Sequence, residues 1–499
     1  MEYTLAYDHR TSLITDANTS ALDFAVNMRR LPVSFRATLH DPATLRRLMI
    51  AMHEVIISDA RIERSSFLLD PVITVHPDEM FFEAFSTDGS VYVRLSAATE
   101  AFNLLSETTY GTTNIDFTFA LRDALQNLRS SRQTEFAVGA AGFAVQTQVG
   151  SVEKAHYEHK VDLPDAWVKG FLQVQSALAM HPFTFHTRPV DLLNAIHFLQ
   201  ENKARRPPTA MRIEFATDQP VNLVLEPWEK RFVMMGSEYK GYPRVVRLWG
   251  RKRLELLLPI LPYADKVTIG VLGRGLPHFY ICHVGAYKFL LMLSGWVRND
   301  WTEQSALDLL APQTPISAEE VASVYNLLTS RYALSREDVE AHTLLESAQA
   351  ETALFALCRE GKAMYDPTTR RYRSRELFAE PLNPETILAP DPRITAARKA
   401  INAGRVHLEN VIPNPDRPRE IKGYATVENQ DSTSYNVEFA VDLEGRLRFA
   451  TCECAFFREN LLSRGPCEHI MAGRLAAVEG ISALETTMKA AKGDPSPRG

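Results

Sequence analysis

In YNVEFAV (435–441) apolar and polar side chains alternate, the period of a strand with one buried face. The stretch GYATVENQDSTSYNVEFAVDLEGRLRFATCEC repeats that pattern three times, broken by two polar turns. It predicts strand, turn, strand, turn, strand. IMAGRLAAVEG (470–480) switches to helical spacing, with Ile470, Leu475 and Val478 along it. Upstream, AMRIEFAT (210–217), VNLVLEPW (221–228) and KVTIGVLG (266–273) are β-branched runs bounded by Pro, Gly or Asp, and predict strands. DPATLRRLMIAMHEVII (41–57) and RPVDLLNAIHFLQENKARR (188–206) predict helices, the second stopped by Pro207 and Pro208.

Prolines in APQTPIS (311–317) mark a boundary. Beyond it Ser317 with Glu320 forms a capping box, and Ser335 with Asp338 a weaker one. Two helical segments follow, then KAMYD and RRYRSREL around a Pro-containing turn. Helix, helix, hairpin is the outline of a winged-helix module; a helical linker with a hairpin packed on it fits equally. Four prolines in 379–393 mark a linker, and the last residues form a tail. The expected fold class is α+β and multidomain: a strand-rich mixed region over 1–305, a winged-helix-like module over 312–378, and a last domain over 391–490.

A chain of 499 residues with 45% hydrophobic and 23% charged residues is ordinary globular material. Its net charge of -6 argues against binding nucleic acid through total charge. No run approaches 18 apolar residues, and the N-terminus has no apolar core of a secretory signal, so the cytoplasm is the expected setting and no membrane partner is expected. Five cysteines in such a compartment make no disulfide framework.

Three of the five stand together. Cys452-x-Cys454, twelve residues, then Cys467-x-His469 gives two tight pairs of soft or borderline donors, the set that tetrahedral Zn2+ requires. Cys452 and Cys454 lie at a strand end, where residues i and i+2 face one side. Gly465-Pro466 makes a turn, after which Cys467 and His469 begin a helix whose dipole favours a thiolate. A reduced cluster without metal is the alternative. Four protein ligands leave no open position for water, which favours a structural over a catalytic ion. Arg458 and Arg464 in the spacer either offset the excess negative charge of three thiolates or are simply solvated. Cys282, beside His283, and Cys358, on an apolar helix face, read as core residues.

CxC, a variable spacer and CxH after Gly-Pro, with strands before and a helix after, resembles the SWIM zinc finger. ATCEC and GPCEHIMAGRLAA carry the likeness at all four ligand positions. Segments 273–301 and 356–377 resemble bacterial proteins that end in such a finger. The resemblance implies binding to DNA, RNA or protein.

Two basic stretches bear on that choice. Arg371, Arg373 and Arg375 fall at i, i+2 and i+4, on one face of a presumed strand, with Arg370 beside them, which suits phosphates. Arg244, Arg247, Arg251, Lys252 and Arg253 surround Trp249, a single-strand binding kit. Against both, residues 391–499 hold fifteen Lys/Arg and fifteen Asp/Glu. No P-loop, GxSxG, HExxH or dinucleotide fingerprint occurs. The expected function is therefore a zinc-binding, non-catalytic recognition or adaptor protein with a protein partner. A DNA- or RNA-binding protein using Arg370, Arg371, Arg373 and Arg375 is the alternative, and an enzyme within the first 300 residues a further one.

Overall fold

The computed structural model describes residues 3–478 except 8–9, 29–31, 59–70, 118, 140–158, 164, 205–207, 296–300, 302–305, 313, 379–390, 416, 418–419 and 443–444. The expected linker lies mostly, and the tail wholly, outside the described residues. The chain forms two compact units. The first takes 1–305, 325–335 and 357–383; the second takes 306–324, 336–356 and 384–499. The stretch 312–378 is thus shared between them. Many sheets and interspersed helices make the protein mixed α/β with a strand-rich N-terminal region.

An eight-stranded sheet runs through the first unit in the order Phe183–Thr187, Lys266–Val271, His278–Val284, Tyr287–Leu293, Val91–Ala98, Glu79–Phe85, Val72–Val75, Gly111–Asn114. Its central strands are buried on both faces, which is why they read as unbroken apolar runs. FLLML (289–293) belongs to one of them. Among the described residues no helix is long and apolar enough to cross a membrane. Helix Pro42–Ile56 starts on Asp41, whose carboxylate accepts the Thr44 N–H, and buries Leu45, Leu48, Met49 and Met52. Helix Pro189–Glu201 ends short of the prolines, because Asn202 caps the Phe198 carbonyl with its side-chain amide.

The hairpin of Ala363–Asp366 and Arg371–Ser374, with Ala333–Leu334 as third strand, also belongs to the first unit. The basic edge expected from Arg370, Arg371, Arg373 and Arg375 divides in two here. Arg371 and Arg370 are exposed, but Arg373 and Arg375 are 1% and 0% exposed. Arg373 pairs with Asp366 and Asp78, Arg375 with Glu83, and Arg94 with the same Asp366. Tyr372 and Arg373, adjacent on this strand, are both buried, so alternation did not separate an outer from an inner side. The second basic stretch is likewise spent on its own unit. Arg247 pairs with Glu226, Arg251 donates to the Ala210 and Glu226 carbonyls, and Arg253 pairs with Asp88.

In the second unit four antiparallel strands stand in the order Val406–Pro413, Glu420–Glu428, Ser434–Asp442, Leu447–Cys452. These are the strands read from the alternation, with one more, Val406–Pro413, at the edge. Helix 468–478 lies on the face formed by Ala425, Val437 and Phe439, and Gly473 lets it approach Ala425 and Phe439 closely. The Ser317–Glu320 capping box forms with both reciprocal bonds. Two buried arginines gather distant segments. Arg446 pairs with Glu351 and Asp442. Arg474 donates to the carbonyls of Leu309, Ala311 and Gly445, and burial pushes its pKa down to about 10.

Gly465 has φ +78° and sits against residue 306: a Cβ there would lie 2.5 Å from the Ala306 carbonyl oxygen. Gly465→Ala is therefore expected to cost about 1–3 kcal/mol from backbone strain, before any contribution from the clash. A lowered denaturation midpoint of the second unit checks this.

Candidate metal centre

Strand Leu447–Cys452 delivers Cys452 at its last residue. Cys454 is not on that strand. It caps helix Ala455–Asn460, and its Sγ accepts the Phe457 N–H at 3.4 Å. The pair therefore converges through a strand end and a helix cap, not through strand alternation. After the spacer, Gly465 and Pro466 turn the chain so that Cys467 precedes helix 468–478 and His469 sits in its first turn. The Ile470 N–H points at Cys467 and favours its thiolate. Each of these two sulfurs thus meets a helix N-terminus, which stabilises negative charge. Arg393 holds the spacer by donating to the Arg464 and Pro466 carbonyls. Arg458, in the same spacer, is exposed.

The four donors lie within 4.8 Å of one another, and all four residues are buried. Cys452 Sγ is 3.8 Å from His469 Nδ1. Ligands of one tetrahedral ion with Zn–S about 2.3 Å and Zn–N about 2.0 Å stand roughly 3.5–3.8 Å apart. This cluster can hold a metal ion. Without a cation the Cys454 and Cys467 thiols are driven in opposite directions. Hydrogen bonds from Cys452 and then Cys467 lower the Cys454 pKa, while Cys452 and Cys454 hold that of Cys467 up. Burial alone would depress His469, but bonds to Cys452 and Cys454 outweigh it and keep it at about 9. A divalent cation resolves this opposition by replacing those protons. Metal uptake is therefore expected to release protons and to strengthen as pH rises, since protonated His469 must lose its proton to bind. Titrating Zn2+ into weakly buffered apo-protein and measuring the acid released checks this.

Two neighbours of His469 escaped sequence reasoning. Asn429 Oδ1 is 2.9 Å from His469 Nε2, and the Tyr435 ring centroid is 4.5 Å from the imidazole. They lie 40 and 34 residues upstream, and only the polar turn ENQDSTS hinted at a loop there. Asn429, Glu428, Glu468 and His469, together with Lys399 and Arg405, line an open cleft of about 700 Å³ beside the cluster. Cys282 and Cys358 are buried and belong to no such grouping among the described residues; burial pushes the Cys282 thiol up to about 12.

No protein-family model matches the sequence, and no curated protein does. Among solved structures, the chain is similar to Proliferating Cellular Nuclear Antigen from Entamoeba histolytica at 12% identity, over 52% of this chain and 98% of that one, with a TM-score of 0.33. A score that low does not amount to a shared fold.

Proposed function

We propose that Cys452, Cys454, Cys467 and His469 hold one Zn2+ as a SWIM-type finger, and that this is a non-catalytic recognition protein whose zinc-organised unit contacts a protein partner. The observation that supports it is the convergence of four buried N and S donors from one chain. Such a set suits zinc and is closed, so the ion would cross-link a strand end to a helix and supply no bound water for hydrolysis.

A protein is favoured over a nucleic acid as partner. Residues 391–499 carry balanced charge. Two of the four hairpin arginines are consumed in buried ion pairs. The order of helix Ala318–Arg331, strand Ala333–Leu334, helices Arg336–His342 and Ser347–Arg359 and the hairpin is that of a winged-helix module, and we read it as one. Its second helix-turn-helix helix, the one such modules set into DNA, has no exposed residue. By contrast, the edge strand Val406–Pro413 exposes Leu408, Val411 and Ile412.

Affinity isolation from the native cell, with and without nuclease, tests the choice. The same partner protein should be recovered in both arms, and Arg370→Ala with Arg371→Ala should leave it bound. Loss of the partner on nuclease treatment would overturn the protein reading. So would a salt slope near -0.9 per phosphate that those changes flatten.

A further inference from the structure

We infer that Asn429 is a positioning residue for the metal: its side-chain oxygen takes the proton-bearing Nε2 of His469 and so commits the imidazole to bind through Nδ1. This rests on the zinc reading above. A neutral imidazole carries one N–H, and only the other nitrogen has a lone pair for a metal. Asn429 Oδ1 stands 2.9 Å from Nε2, while Nδ1 faces Cys452 Sγ at 3.8 Å. A second polar group near Nε2, Glu468 Oε1, is 3.7 Å away, too far for a hydrogen bond, on a side chain 43% exposed.

The hairpin is built to hold that oxygen in place. Asn429 donates its backbone N–H to Thr433 O at 2.8 Å and accepts from Ser432 N at 3.1 Å. Asp431 Oδ1 accepts the Thr433 N–H, and Ser432 takes φ +64° to close the loop. Two residues beyond, the Tyr435 ring lies against the imidazole at 41° and limits its rotation. Histidine is the ligand that needs this help. A thiolate can approach an ion over a range of directions, but an imidazole must present one nitrogen in its ring plane. An amide suits the place electrostatically, because three thiolates already give the donor set more negative charge than a divalent ion cancels. A carboxylate there would add to the excess. Outer partners of this kind set ligand tautomer and tune metal affinity elsewhere.

The test uses the full-length chain loaded with Zn2+ or Co2+. Asn429→Leu keeps the volume and removes the acceptor; Asn429→Asp keeps an acceptor. Competition against a chromophoric chelator should show Asn429→Leu binding Zn2+ about 10–100-fold more weakly. Asn429→Asp should stay within a few-fold of the parent. In the Co2+ form, the hyperfine-shifted, exchangeable ring N–H of His469 should persist in the parent and Asn429→Asp, and vanish into solvent exchange in Asn429→Leu. Asn429→Ala repeats the measurement should the leucine chain fail to fold. A parent that binds one ion, with Asn429→Leu equally tight and its N–H signal unchanged, overturns this inference alone. A parent that takes up neither ion overturns the zinc reading, and this inference with it.

Discussion

Replacing Cys454 by Ser, or His469 by Ala, strips the ion and opens the C-terminal sheet to protease. The parent chain is expected to carry about one zinc by elemental analysis, and the variants much less. The effect should be large. Structural zinc contributes roughly 10–16 kcal/mol of apparent binding free energy. An entire domain is stable by about 5–15 kcal/mol. Losing one ligand forfeits much of the first figure. Without the ion, Cys454 still caps Phe457, but the thiols and imidazole remain crowded in a buried space. A metal-free parent that resists protease would refute the prediction.

The second large effect lies in the first unit. Asp366 is fully buried and holds Arg94 Nη2 at 2.9 Å and Arg373 Nε at 3.2 Å. Asp366→Ala leaves two buried guanidiniums short of their counter-charge, since of the carboxylates left to Arg373, Asp78 is 60% exposed and Glu79 stands off at 4.0 Å. Breaking a buried pair from one side costs about 3–5 kcal/mol, read as a lower guanidinium midpoint. The pH dependence has a definite sign. Burial works to raise the Asp366 pKa, but Arg94 and then Arg373 overcome it and hold the carboxyl well below its usual range. A depressed folded-state pKa means that this stability is fully present above the unfolded value of about 3.9 and drains away as pH falls further. The gap between parent and variant should therefore be full at pH 7 and narrow below about pH 4. A gap that stays constant down to pH 2 would sink the account.

The same residues show what could and could not be read from the chain. The cluster was legible because its geometry is local: each ligand pair is three residues long, and the Gly-Pro turn and the helix follow directly. The C-terminal strands were legible because one face of each is buried and the other is wet, which writes the pattern into the sequence. Arg373 and Arg375 were not. Their alternation is that of any strand, and what lies beneath them is Asp78 and Glu83, some 290 residues away. Nothing local distinguishes an arginine awaiting a phosphate from one already neutralised by a distant carboxylate. Glu351 as the partner of Arg446 was hidden for the same reason.

That last pair governs what can be cut free. Residues 391–490 look like a self-contained zinc domain when read alone. A fragment starting at 391, however, discards Glu351 and the carbonyls of Leu309 and Ala311, leaving Arg446 and Arg474 without those partners. It also removes Ala306, against which Gly465 is fitted. Expressed by itself it would be prone to clump, zinc or no zinc. Segments 306–324 and 336–356 belong to the same compact unit as the finger, and any truncation study of the finger must carry them along.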